Sequence, residues 1–182
     1  GNDQVIGGRD NDTLTGGAGG DTFYFGSADG AAADLSAANS GVDTITDFTA
    51  TDNLCFNVSA LGMTSNVGTM KVATLSSGGA TLTSLANTAT AGNVDAVILL
   101  NTTGFASYAA AQAELNATAA AITDNSGSAI VLWYSSVDSK IHITHDTDIS
   151  TGAGTGTEIG IIGNSTSATL AALTGSNFTM IA

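Results

Sequence analysis

Residues 1–26 read GNDQVIGGRDNDTLTGGAGGDTFYFG, a nine-residue unit repeated in phase. The first copy, Gly1-Asn2-Asp3-Gln4-Val5-Ile6, enters the unit at its fourth position. The second is Gly7-Gly8-Arg9-Asp10-Asn11-Asp12-Thr13-Leu14-Thr15. The third is Gly16-Gly17-Ala18-Gly19-Gly20-Asp21-Thr22-Phe23-Tyr24. The template is G-G-x-G-x-D-x-U-x, with U a large apolar residue. Asp3, Asp12 and Asp21 lie nine apart, and Val5, Leu14 and Phe23 each follow an Asp by two. A Gly-rich turn accepts the left-handed angles that let backbone carbonyls point inward. The Asp adds a hard anionic oxygen, and calcium takes six to eight oxygen ligands. The apolar residue then enters a short strand and packs inward.

This unit resembles the calcium-binding nonapeptide repeat of the RTX (repeats-in-toxin) family. The resemblance implies a parallel β-roll whose successive turns fall on opposite edges. The first and third copies then share an edge, so Asp3 and Asp21 sandwich one Ca2+ with turn residues such as Gly17 and Gly19. Asp12 faces the other edge, with Gly8 and Asp10 in its turn. Its later partner is expected near residues 26–30, but the register slips there. Gly30 stands where the Asp belongs, and Asp29 one place before it. So short a roll buries little apolar surface alone, and the chain reads as the C-terminal piece of something longer.

Composition limits the partners. Only Arg9, Lys71 and Lys140 are basic, against 16 acidic residues, for a net charge of −13. Nucleic-acid binding needs clustered Lys and Arg, and anionic membrane surfaces also need basic residues. Both are excluded as expected partners, whereas cations are favoured. Cys55 is the sole cysteine, so no intrachain disulfide exists, and bound metal is the available staple. No apolar run approaches the length of a transmembrane helix. Sequons such as those at Asn57, Asn101, Asn116, Asn164 and Asn177 read as accidents of an Asn-, Ser- and Thr-rich chain.

Beyond the repeats, Val42-Asp43-Thr44-Ile45-Thr46-Asp47-Phe48 leads to Asp52-Asn53-Leu54-Cys55-Phe56. This resembles the D-x-I-x-D-F…D-x-I-D-L block that caps the roll in serralysin-type proteases and other type I-secreted proteins. Asp43, Asp47 and Asp52 are therefore candidates for a terminal calcium site or for turn caps; Asn53 and Cys55 depart from the block. Three regions result: the roll (1–26), a roll-capping segment (27–60) and a β-rich C-terminal domain (61–182). In the last, 71–75 and 80–85 alternate weakly, and 94–100 reads as a buried strand. One amphipathic helix is expected from about Phe105 to Ile122, capped by Thr103, with Phe105, Tyr108, Leu115, Ala119 and Ile122 on one face. Residues 129–134, 140–144 and 157–162 read as a meander. The end, 170–181, resembles RTX C-termini, which in that family carry an uncleaved type I export signal.

His142, His145, Asp146 and Asp148 form H-x-x-H-D-x-D. Strand parity points the two histidines to different faces, so zinc is disfavoured. Asp146 and Asp148 are candidate ligands of a loop cation or part of an acidic turn. There is no H-E-x-x-H, G-x-S-x-G or phosphate loop, and the expectation is a non-enzyme. The fold expected is mainly β, a short calcium-binding parallel β-roll followed by a β-rich domain with one helix. The composition resembles that of RTX S-layer or extracellular-filament subunits, secreted to the cell surface and folding there with Ca2+. The partners expected are further copies of the chain in a lattice or filament and the type I secretion machinery, with a cell-surface glycan as a further candidate. The alternative is the secretion and stability module of an RTX hydrolase, or the terminal segment of an adhesin.

Overall fold

A computed structural model describes residues 1–25, 41–57, 59–63, 70–76, 82–86, 94–117, 128–149 and 155–181. The chain is mainly β, as its repeats and alternating segments predict. Each repeat contributes one short strand, and successive strands enter alternate sheets. β1 (Gln4–Ile6) and β3 (Thr22–Phe25) lie parallel in one sheet, with Val5 opposite Phe23. β2 (Thr13–Leu14) lies in the other.

The roll continues past the third repeat. β4 (Asp43–Ile45) pairs parallel with β2, Leu14 opposite Ile45. β5 (Asn53–Asn57) pairs parallel with β3, Phe23 opposite Leu54. Asp43-x-Ile45 and Asp52-x-Leu54 reproduce the Asp-x-U spacing and are nine apart. They form coils four and five, entered after the stretch 26–40, which lies outside the described residues together with Asp29. Ile45, Phe48, Leu54 and Phe56 are buried, and Val42 is half-buried.

The same two sheets then absorb the rest of the chain. β6 (Val72–Ser76), β7 (Leu82–Ala86), β8 (Ala96–Leu100), β9 (Ala129–Tyr134), β10 (Ile141–Asp146) and β11 (Gly156–Ile162) extend the sheet of β2 and β4. Its order is β2-β4-β11-β10-β9-β8-β6-β7. β9, β10 and β11 make the expected antiparallel meander. β11 then runs parallel to β4, with Ile162 opposite Ile45. β12 (Phe178–Ile181) closes the other sheet, β1-β3-β5-β12, with Phe178 opposite Leu54. Strands from the two ends of the sequence are thus neighbours in both sheets.

Between the sheets runs one apolar column. Phe23, Leu54 and Phe178 stack from one sheet, and Leu14, Ile45 and Ile162 from the other. Phe25 and Phe56 stack with centroids 5.4 Å apart. The same cluster continues into Ile98, Ile130, Leu132, Ile141 and Ile143. A second cluster forms on the opposite face of the large sheet, around Val97, Leu99, Val131 and Trp133, covered by Ala111 and Leu115 of α1 (Tyr108–Ala117).

The helix departs from expectation at its start. Phe105 is in extended backbone, donating its N–H to Tyr134 O and accepting from Ser136 N–H. Gly104 turns the chain at φ 75°, and Ser107 receives the amide of Ala110 on its hydroxyl and its carbonyl. Ser107, not Thr103, therefore starts the helix, because pairing with β9 holds Phe105 in a strand. A short second helix, α2 (Ser167–Ala172), was not expected. Thr166 caps it with a reciprocal Thr169 bond.

Phe56 is fully buried and stacks on Phe25 across two coils. Phe56→Ala is expected to cost about 3–5 kcal/mol of stability in saturating calcium, read by denaturant unfolding. A loss below about 1 kcal/mol would show that the coil core collapses around the missing ring.

Candidate calcium site

Each Asp of the repeat occupies the mouth of its turn, just before a strand, and the parallel register stacks it on the Asp of the next coil along the same edge. Asp3, Asp21 and Asp52 form one column, Asp12 and Asp43 the other. The Asp3 N–H donates to Asp21 Oδ1 at 2.8 Å, Asp12 N–H to Asp43 Oδ1 at 3.0 Å, and Asp21 N–H to Asp52 Oδ1 at 2.9 Å. In return, Asp3 O, Asp12 O and Asp21 O accept from Thr22, Thr44 and Asn53, each at 2.8 Å. The structure thus brings Asp3 to Asp21 as expected, and gives Asp12 a partner, Asp43, beyond the register slip.

The turns keep space beside these carboxylates. Gly8 and Gly17, at equivalent positions, have φ 92° and 93°. Asp10 and Gly19, two residues on, have φ 70° and 141°. Asp tolerates the left-handed region better than most side chains, which is how Asp10 replaces a Gly. A Cβ on Gly7 would lie 2.6 Å from Asp43 Oδ2, and one on Gly16 would overlap Asp21 Oδ2.

The Asp12–Asp43 pair is electrostatically incomplete. Asp12 Oδ2 is buried with no hydrogen-bond partner. Burial lifts the Asp43 carboxyl to about 6, with the Asp12 charge adding to the rise and the Asp12 amide opposing it. A buried oxygen without a donor, two stacked carboxylates and a turn free of Cβ atoms fit a hard cation. Asp12 and Asp43 with the Gly8–Asp10 turn would hold one ion, and Asp3 and Asp21 with the Gly17–Gly19 turn another. Among the described residues no group of three or more His, Cys, Asp or Glu is placed to hold a metal by side chains alone. That is consistent with a site that draws on main-chain oxygens.

Coil five is built differently. Asp47 accepts from the amides of Gly16 (3.0 Å) and Gly17 (2.7 Å). Asp52 Oδ2 accepts from the Thr49 amide (2.6 Å) and hydroxyl (3.0 Å). Both aspartates hold protein donors in this structure.

Residues 1–30 match a family model, that of the RTX calcium-binding nonapeptide repeat in four copies. This segment is an RTX repeat. No curated protein and no solved structure matches the chain significantly. The RTX repeat is a calcium-binding unit, so Ca2+ is the ion of this segment, and proteins carrying RTX repeats are typically secreted.

Sequence reading missed several residues that build the RTX turns. Asn2 Oδ1 accepts from Gly20 N–H (3.1 Å), and Asn11 Oδ1 from Val42 N–H (2.8 Å). The signal was present, since Asn2 and Asn11 occupy the same repeat position, directly before the Asp.

Asp146 and Asp148 lie far along the chain from the RTX coils, and Asp146 sits in a core contact. Asp146 is fully buried. Its Oδ2 accepts from Tyr108 OH (2.5 Å) and Gln112 Nε2 (2.9 Å), and its Oδ1 from the Asp148 amide (2.9 Å). The two histidines have different partners. Burial lowers the pKa of His145, with the Asp146 charge opposing the shift. His142 lies between Glu158 (2.8 Å) and Asp138 (3.1 Å) and stacks on Trp133. Burial alone would lower its pKa, but the hydrogen bonds and charges of Glu158 and Asp138 together raise it above the ordinary 6.5.

Three outcomes follow from these environments. Gly7→Ala should weaken calcium binding about ten-fold or more, equal to about 1.4 kcal/mol, because its Cβ displaces Asp43; calorimetric titration reads this directly. Calcium affinity should also fall as pH drops through about 6, where Asp43 takes a proton. For His142 the folded pKa exceeds the unfolded one. Its stabilisation is present below 6.5 and is lost as pH rises through the raised folded value. Melting temperatures across that range should decline for the native chain and stay flatter for His142→Phe.

Proposed function

We propose that this chain is part of a calcium-dependent structural protein, a subunit of an S-layer or extracellular filament. It leaves the cell by type I secretion, folds with Ca2+ outside and works without catalysis. The observation that carries this reading is the continuity of the sheets. The RTX coils are not a separate appendage, because β2 and β4 run on into the eight-stranded sheet and β3 and β5 into β12. Ions in the coils therefore act where the N-terminal coils join the sheets of the body. The composition agrees, being poor in charge and rich in Thr, Ala, Ser, Gly and Asn, with only three basic residues. A surface with so few Lys and Arg is suited to contacts with further copies and with divalent cations rather than to acidic polymers. A cell-surface glycan is a second candidate partner.

The test is calcium-dependent assembly of the intact protein, followed by circular dichroism and light scattering during chelation and re-addition of calcium. Large particles should dissolve on chelation and re-form with calcium. Particles that stay monomeric while the β-signal responds would sink the structural reading in favour of a hydrolase's secretion module or an adhesin's terminal segment.

A further inference from the structure

Along the two edges of the roll lie three spaces between turns: coils one and three, two and four, three and five. The turns of coils two and three share a backbone, with positive φ at Gly8 and Gly17 and again at Asp10 and Gly19. Coil five places Phe48 and Ala50 at those positions, and neither has positive φ. Phe48 instead turns into the core, 6.2 Å from the ring of Phe23. The turn of coil five therefore lacks the backbone that presents carbonyls in coils two and three.

Protein groups occupy the third space. The Asp47 carboxylate takes the amides of Gly16 and Gly17. The Thr51 hydroxyl donates to Gly19 O at 3.0 Å. The Asp52 carboxylate takes the Asp21 amide and both the amide and the hydroxyl of Thr49. On the far side Asn177 Nδ2 donates to Asp52 O (2.8 Å) and Ala50 O (3.1 Å), tying this turn to β12.

The geometry points to a calcium-independent clasp between coils three and five, made by Asp47, Thr49, Thr51 and Asp52. Calcium then has a narrower role, stapling coils one and two onto a body that is folded without it. This deepens the calcium reading of the first four coils and rests on it. The two ion spaces join coil one to three and coil two to four, so each ion attaches an N-terminal coil to the body. Coil four belongs to that body through β11, and coil five through β12. The apolar anchoring is weakest at coil one, since Leu14 of coil two is buried beside Ile45. Phe23, Ile45, Leu54 and Phe56 are fully buried, whereas Val5 is half-buried and Ile6 is 48% exposed.

Hydrogen exchange on the full chain, in chelator and in millimolar calcium, tests this. In chelator the amides of residues 3–15 should exchange freely, and calcium should slow them at least ten-fold. The amides of β5 and β12 should stay protected in both. Loss of protection in β5 and β12 on chelation would overturn the clasp. A chain that takes up no calcium yet keeps β5 and β12 protected would remove the ion assignment and leave the clasp standing. As a second measurement, Thr49→Val with Thr51→Val should lower the melting temperature in chelator and leave the number of bound calcium ions unchanged. Loss of a bound ion from that variant would overturn the clasp, because it would place the ion in the third space. The Thr49→Ser, Thr51→Ser pair keeps both hydroxyls and should restore the melting temperature.

Discussion

Stacked carboxylates are the constraint on which this roll is organised. Parallel pairing holds neighbouring strands about 4.8 Å apart, and a strict repeat puts an Asp at the same place on each. Two unit charges about 5 Å apart repel by roughly 3 kcal/mol at an effective dielectric near 20. The backbone relieves part of this, since each Asp on an edge gives its amide to the carboxylate of the next. What it leaves is visible at Asp12 and Asp43: an unpartnered buried oxygen and a carboxyl lifted to about 6. A proton, an ion or protein donors can settle that remainder. The roll uses the last of these at Asp52, where Thr49 supplies them.

The coil cross-section also decides how the roll joins the body. Its interior is one side-chain layer thick, filled by one or two apolar residues per strand. Strands entering beside β4 and β5 must match that thickness. β11 does so with Gly160, whose missing side chain makes room for the Phe25 ring, and with Ile162 over Ile45. β12 does so with Phe178 over Leu54 and Met180 over Phe56. Past β11 the sheet is antiparallel through β10 and β9, then parallel from β9 to β8 and β6, and α1 and its neighbours cover its second face. Residues 96–99 are accordingly buried throughout rather than alternating.

The first three coils were legible because a nine-residue period leaves a trace that survives single substitutions, such as Asp10 for Gly. Coils four and five kept Asp-x-Ile and Asp-x-Leu at the same spacing. They had lost most of their glycines and stood beyond residues 26–40, so they read as a cap rather than as more roll. The meander was legible from local alternation. The pairing of β11 with β4 and of β12 with β5 was not, because parallel contacts between segments over a hundred residues apart leave no local pattern. The same blindness affected Asp146, whose D-x-D setting suggests a cation. Its donors, Tyr108 and Gln112, come from a helix more than thirty residues away.

Two ways of satisfying a carboxylate column give the two ends of the roll different sensitivities. Hydroxyl and amide donors are covalently present at fixed geometry, so a clasp built from them is indifferent to ion concentration. An ion at a hundred times its dissociation constant adds about 2.7 kcal/mol, the same order as the repulsion it relieves. Coil one has little else to hold it, since Val5 is only half-buried and Ile6 is half-exposed, whereas coil two also places Leu14 in the core. Coil one therefore depends most on its ion. The same ions would add little to coil five, whose core is already closed by Phe48, Leu54 and Phe56. Loss of glycine from the turn and gain of apolar burial at Phe48 are one substitution pattern, exchanging a carbonyl cradle for a ring in the core.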